Sequence, residues 1–506
     1  MSRPDDDAGW RRLHPLSLVF RIGSAARRLL LPVLAVLVVS RGQGYELWLA
    51  VMFVPAVIAA IVSYLSYSYR LGADDLVIRQ GIVTRNERHV PYARIQNIDL
   101  VQNLLQRWLG VAEARFETAS GNEPEAVLRV LSLDEVAAVR GRVFREARPA
   151  GATTDPGAPP APADAPEPLY RARTSQLALL GLTSNRGLAV VAAAFGALWQ
   201  LEPLGYDPES LVREIARVDP SRAHLPPSPW VTALVAVLGF FVVVLMLKLL
   251  SVAWTVVRLY GFALEARGAD FSARYGLLTR IAATVPQQRI QLLSVRRGPL
   301  HRWLGQASVQ IETAGRGGRA GAEGSGAEVE RLWLAPWIDD RALPGLVARA
   351  LPGVDLASAA WQPLAARAGR RILVRSLALA LVVGVVPLFW LGPQVLLVLV
   401  PLGLLAVLHA RLWTRHAAYA LLADAVAWKS GWWTRHTSIV PYEKVQVVAV
   451  GQSPFDRRHR MASLAVDTAG AGHVGHSFEL PYLDEAAAAA LLGRLLEETS
   501  ARAFRW

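Results

Sequence analysis

The sequence predicts a membrane protein of mixed α and β class. Six transmembrane helices are expected in three pairs, each pair followed by a small antiparallel β-sandwich or barrel closed by a C-terminal helix. Three observations carry this. One residue pattern occurs three times, long uncharged apolar runs accompany it, and the apolar residues of each copy fall into short β-branched stretches.

The first copy reads Gly81, Thr84-Arg85, Val90-Pro91, Arg94-Ile95-Gln96 and Glu117-Thr118-Ala119. The second reads Gly276, Thr279-Arg280, Val285-Pro286, Arg289-Ile290-Gln291 and Glu312-Thr313-Ala314. The third reads Gly431, Thr434-Arg435, Val440-Pro441, Lys444-Val445-Gln446 and Asp467-Thr468-Ala469. In each copy Pro follows Gly by 10 residues, Gln follows Pro by 5, and Thr follows Gln by 22. Fixed spacing in three copies means one domain repeated.

The chain of 506 residues is 53% hydrophobic and only 19% charged, against about 25% charged in soluble domains. The deficit lies in uncharged runs at 47–69, 230–247 and 376–410, the last broken by Gly392-Pro393. About 20 apolar residues cross a bilayer as a helix. Two weaker spans complete the pairs: 24–42, whose apolar run 29–40 follows Arg27 and Arg28, and 183–201, whose apolar run 187–201 follows Arg186. Long basic side chains can snorkel from a helix end; otherwise each is a re-entrant or interfacial helix.

The expected boundaries are an interfacial segment 1–23, a transmembrane pair 24–68, a first domain 69–148, a Pro/Ala-rich linker 149–174, a second pair 175–255, a second domain 256–352, a linker 353–371, a third pair 372–413 and a third domain 414–506. Three pairs place all three domains on one side. Arg3, Arg11, Arg12, Arg21, Arg27 and Arg28 precede the first span, whereas the loop 202–222 is mixed and partly acidic. Lys and Arg stay cytoplasmic, so the N-terminus and the domains are expected on the inner face of a cytoplasmic membrane. The net charge of +13 suits an anionic leaflet. It does not point to nucleic acid, because no binding motif accompanies the scattered cations. With no cysteine there are no disulfides, thiolate nucleophiles or Cys-based zinc sites.

Within the first copy, short strand-like stretches run over 73–79, 81–84, 88–90, 95–101, 112–118 and 126–131. Gly81, Gly276 and Gly431 sit where a hairpin turn needs positive φ. A helix closes each copy: after the capping box Ser132 to Glu135 in the first, over 337–351 in the second, and after Asp484-Glu485 in the third.

The Gly-φ-φ-Thr-Arg turn, the Val-Pro, the Arg-Ile-Gln and the Arg-Trp-Leu-Gly of 107–110 and 302–305 together resemble the bacterial pleckstrin-homology-like (PH-like) domain of the YdbS/YdbT type. Paired membrane helices before each of three such domains resemble YdbT-type membrane proteins. The third copy departs, with Arg458 and Arg460 where Trp108 and Gly110 stand, and Lys444-Val445 for Arg-Ile. The resemblance implies an antiparallel sandwich closed by a helix. It implies no activity, since such folds host lipid, peptide and protein binding alike.

Candidate binding residues are the repeated Arg85, Arg280 and Arg435, the repeated Gln96, Gln291 and Gln446, and the cluster Arg457, Arg458 and Arg460. The arginines are either solvated hairpin tips or cations that meet lipid phosphate, each worth about 1 kcal/mol at an anionic surface. The glutamines satisfy backbone groups or bind a partner. Glu117, Glu312 and Asp467 could neutralise Arg94, Arg289 and Lys444. Trp432-Trp433 should put one ring in the core and one outside. Gly-rich 315–326 lacks the ending of a phosphate loop, and His473 and His476 lack neighbouring carboxylates for a metal. No catalytic, cofactor or metal residue is nominated, so no enzyme is expected. The expected partners are the bilayer, anionic lipid headgroups and proteins, a smaller PH-like membrane protein among the candidates. The reading is a non-enzymatic scaffold; the alternative is an envelope-protection or transport-related component with regulatory domains.

Overall fold

The computed structural model describes residues 10–18, 20, 22, 57–59, 61–81, 85–118, 126–146, 167–199, 229–313, 332–391, 396–468 and 478–501. The first repeat comprises β1 (Arg11–Arg12), β2 (Ser68–Leu71), β3 (Asp75–Gln80), β4 (Asn86–Pro91), β5 (Ile95–Asn103), α1 (Leu104–Trp108), β6 (Val111–Thr118), β7 (Ala126–Ser132) and α2 (Leu133–Glu146). The second comprises β8 (Glu167–Arg171), α3 (Thr174–Thr183), α4 (Arg186–Trp199), α5 (Pro229–Leu259), β9 (Ala263–Arg267), β10 (Asp270–Tyr275), β11 (Thr279–Pro286), β12 (Ile290–Arg297), α6 (Pro299–Trp303), β13 (Gln306–Thr313), β14 (Leu332–Asp339) and α7 (Leu343–Ala350). The third comprises β15 (Gln362–Pro363), α8 (Ala368–Leu391), α9 (Leu396–His416), β16 (Ala418–Leu421), β17 (Ala425–Ser430), β18 (Arg435–Pro441), β19 (Val445–Gly451), α10 (Pro454–Arg458), β20 (Met461–Thr468), β21 (Phe478–Asp484) and α11 (Glu485–Ser500).

Each domain is two antiparallel layers over one apolar core. In the first, Tyr69, Leu76, Ile78 and Val90 from β2–β4 meet Ile98, Ala114, Phe116 and Leu128 from β5–β7. Val136 and Val139 of α2 join the same core. The capping box forms as expected: the Glu135 amide donates to Ser132 Oγ at 3.2 Å and the Ser132 amide to Glu135 Oε2 at 3.0 Å. The segment expected at the interface instead supplies β1, which pairs with β2, and its Leu13 is buried. Trp10 lies under the guanidinium of Arg79 at 4.1 Å. The helix expected over 337–351 begins later, because Trp337 belongs to β14 and Pro344 opens α7.

The layers do not stop at domain boundaries. One seven-stranded sheet runs β7-β6-β5-β11-β10-β9-β8, and another runs β14-β13-β12-β18-β17-β16-β15. The second layer of each repeat therefore continues into the first layer of the next. Strand β11 pairs with β5, with Arg280 opposite Gln102 and Ile281 opposite Val101. Strand β18 pairs with β12, with Arg435 opposite Arg297 and His436 opposite Arg296.

Six transmembrane helices in three pairs are not what the structure supports. Among the described residues one helix is long and apolar enough to cross a bilayer, Val237–Leu259 within α5. The described part of α4 covers 14 residues, about 21 Å against a hydrocarbon core of about 30 Å. Of the uncharged run 376–410, α8 holds 376–391 and α9 holds 396–410, about 24 and 22 Å of described apolar helix. The remaining turns of these helices carry Arg370, Arg371 and Arg375, or Arg411 and Arg415. The span 24–42, most of 45–66, the linker 149–166, the Gly-rich 315–326 and the His473–His476 turn lie outside the described residues.

Candidate membrane-facing site

The hairpin turn and the short helix of each repeat are built from the repeated motif. Gly276 and Gly431 have φ of 113° and 83°. A Cβ at Gly276 would stand 1.9 Å from the Thr279 carbonyl oxygen, so the turn admits no side chain there. Gly81 shares the conformation, with φ of 94°.

The turns reach the neighbouring repeat and the long helices. Arg107 Nη1 donates to the Leu277 carbonyl at 3.0 Å, and Arg302 Nη2 to the Trp433 carbonyl at 3.4 Å. These arginines occupy the same motif position, one repeat apart. The Leu277 amide donates to Val257 O at 3.0 Å and the Gly276 amide to Tyr260 O at 2.9 Å, which seats the second turn against the end of α5. Trp432 Nε1 lies 3.0 Å from His409 Nδ1, which ties the third turn to α9. Of the adjacent pair, Trp432 is half-buried and Trp433 is 62% exposed.

Around these turns large apolar side chains stand in solvent. Trp108 is 84% exposed and Trp303 81%, with Leu104, Leu105, Leu278 and Phe455 also exposed. Arginine interleaves them. Arg85, Arg280 and Arg435 are all exposed, and so are Arg457, Arg458 and Arg460. At the junction of the second and third repeats the cations crowd. Partial burial holds Arg435 below the usual arginine range, and Arg302 and Arg297 add repulsion. Lys429 is lowered by burial and then by Arg435, and its ammonium lies 4.0 Å over the Trp361 ring. Asp340 accepts from Arg297 Nε at 2.9 Å. Such a surface suits the boundary between water and an anionic bilayer, where Trp and cations concentrate.

The repeated glutamines do not share one environment. Gln291 is buried at 1% exposure, whereas Gln446 is exposed. Gln96 lies in β5, and its side chain is outside the described residues. Burial lowers Arg289 to about 10, and the carboxylate acting against that is Asp270 of β10. Lys444, 1% exposed, pairs with Glu443 at 3.1 Å. Trp108, Trp303, Leu278, Phe455, Arg107 and Arg302 were not singled out as site residues from sequence. The signal was the Arg-Trp pair of 107–108 and 302–303, which marked the repeat without revealing that its ring points outward.

The chain matches the bacterial PH domain over residues 18–147, 226–333 and 373–499. It belongs to the bacterial PH domain family. The family matches fall once on each repeat. The chain is also 24% identical over 493 residues to the transmembrane protein YdbT of Bacillus subtilis (strain 168), covering 92% of this chain and 94% of that protein. It is thus a YdbT-type protein with PH-like domains. This likeness and the apolar α5 support a membrane location. No solved structure matches the chain.

Proposed function

We propose that this YdbT-type protein is a non-enzymatic scaffold. It holds three bacterial PH domains in a fixed row on the inner surface of a bacterial cytoplasmic membrane, where the row recruits proteins or organises lipid. The observation that carries this is the row itself: hydrogen-bonded ladders β5–β11 and β12–β18 join the three domains. An open sheet with unpaired edges does not cross hydrocarbon, so domains joined this way share one side. That replaces the parity of helix pairs as the ground for a common side. The +13 charge favours the anionic inner leaflet. Trp108 and Trp303 insert at the headgroup level, with Arg280 and Arg435 on phosphates beside them. Arg85, Arg457, Arg458 and Arg460 extend the basic edge at the two ends of the row. Weak single contacts add through high local concentration.

The test uses the absence of native cysteine. Trp108→Cys and Trp303→Cys are spin-labelled singly in the full chain, in bilayer discs containing phosphatidylglycerol. Relaxation by oxygen should exceed relaxation by a water-soluble nickel chelate at both sites. Labels as chelate-accessible as one at Glu498 on α11 would show that the tips stand in water and would sink the membrane-facing assignment.

A further inference from the structure

The two internal junctions obey one rule, and each end of the row of described strands presents one half of it at a sheet edge. In both, the strand after the Gly turn pairs antiparallel with the strand after the 3-10 turn of the preceding repeat. The register is the same, since Arg280 opposite Gln102 and Arg435 opposite Arg297 are equivalent positions. In both, the motif arginine donates to the entering turn, Arg107 to Leu277 and Arg302 to Trp433.

At the C-terminal end of the row β19 is the edge of a three-stranded sheet. Its equivalent, β12, is covered by β18: Leu292 is 4% exposed and Val295 1%. In β19 the corresponding Val447 is 54% exposed and Val450 42%. Gln446 is exposed where Gln291 is buried, for the same reason. Arg457, the counterpart of Arg107 and Arg302, is exposed and has no side-chain partner among the described residues. At the N-terminal end β4 is the outer strand of its sheet, and Asn86 to His89 are exposed. An uncharged strand with exposed valines at a sheet edge is a template for another strand.

We propose that β19 of one copy takes β4 of a second copy, so that chains join head to tail and the row continues along the membrane. The internal register carries over: Asn86 of the second copy stands opposite Gly451, Glu87 opposite Val450 and Arg88 opposite Ala449. The charges of β4 face an uncharged β19, so the pairing sets no like charges opposite one another. The contact is heterologous and propagates until it closes or runs out of chains.

Cross-strand cysteines fit disulfide geometry only in register. Asn86→Cys and Gly451→Cys are placed in the full chain, which has no other thiol, and oxidised in native membranes. A ladder of covalent multimers is expected with both substitutions in one chain, and only dimers with the two on separate chains. Asn86→Cys with Ser463→Cys, one strand further in, should give none. Monomers throughout, or equal adducts from the Ser463 control, would overturn the proposal. Adducts joining Gly451→Cys to a different protein would also overturn it, by giving the edge another occupant.

Discussion

Single residues show how the third repeat keeps the fold after losing the motif. Gly110 and Gly305 have φ of 67° and 62°, and the residue in their place, Arg460, has φ of 53°. A non-glycine residue in that region costs about 1–2 kcal/mol. Its backbone is held at both ends, with the Arg460 amide on Arg457 O and its carbonyl accepting from the Glu485 amide, both at 3.2 Å. Histidine 301 shows the opposite economy. It is buried, its ring tilted 36° against that of Trp337 with centroids 4.1 Å apart, and its Nε2 lies 2.9 Å from Ser308 Oγ. Ser308 Oγ donates to Pro336 O at 2.7 Å, so His301 Nε2 carries a proton and donates to Ser308 Oγ. Burial, then Arg296, pushes its pKa down to about 4 despite Asp340. The unfolded chain protonates near 6.5 and the folded one does not, so stability falls as pH drops from 6.5 towards 4. Melting temperature measured at pH 7.0 and 5.2, above most carboxylate titration, should decline for the native chain and decline less for His301→Gln. Equal declines would remove His301 from the account.

Elements depend on local chemistry that the sequence states openly. The Ser132 to Glu135 box fixes where α2 starts, by satisfying amides that no helical carbonyl can reach. Ser453 and Asp456 repeat it at α10, where the Asp456 amide donates to Ser453 Oγ at 3.2 Å. Ser132→Ala should lower unfolding stability by about 1 kcal/mol, read as a lower denaturant midpoint at unchanged slope. No shift would mean that core contacts of Val136 and Val139 alone set the helix. The long helices rest on small residues instead: a Cβ at Gly187 would stand 1.9 Å from Leu247 O, so α4 and α5 approach backbone to backbone. Lys248 Nζ bonds Ser184 O at 3.1 Å and Asn185 Oδ1 at 2.9 Å, and so joins the α3–α4 break to α5.

At the scale of the whole molecule the shared sheets make neighbours of domains that could otherwise move apart. Units whose strands complete each other's sheets unfold together. The full chain in detergent should therefore melt in one calorimetric transition. Ile281→Pro places a residue without an amide donor in β11, the strand that bridges β10 and β5, and should split that transition into two. Three separate transitions in the native chain would mean that the ladders contribute little.

The sequence by itself determined the repeat, most of the strands between turn residues, the positive-φ glycines and the capped start of α2, because each rests on contacts a few residues apart. It also marked Arg280 and Arg435 as equivalent. Only the tertiary structure decided that these two lie on ladders between repeats and that Trp108 and Trp303 point outward. It also decided that Gln291 and Gln446 differ, and that the apolar runs yield one bilayer-length helix among the described residues. The physical reason is common to all four. Burial and pairing depend on what stands beside a segment, and the neighbour of β12 is β18, more than a hundred residues away.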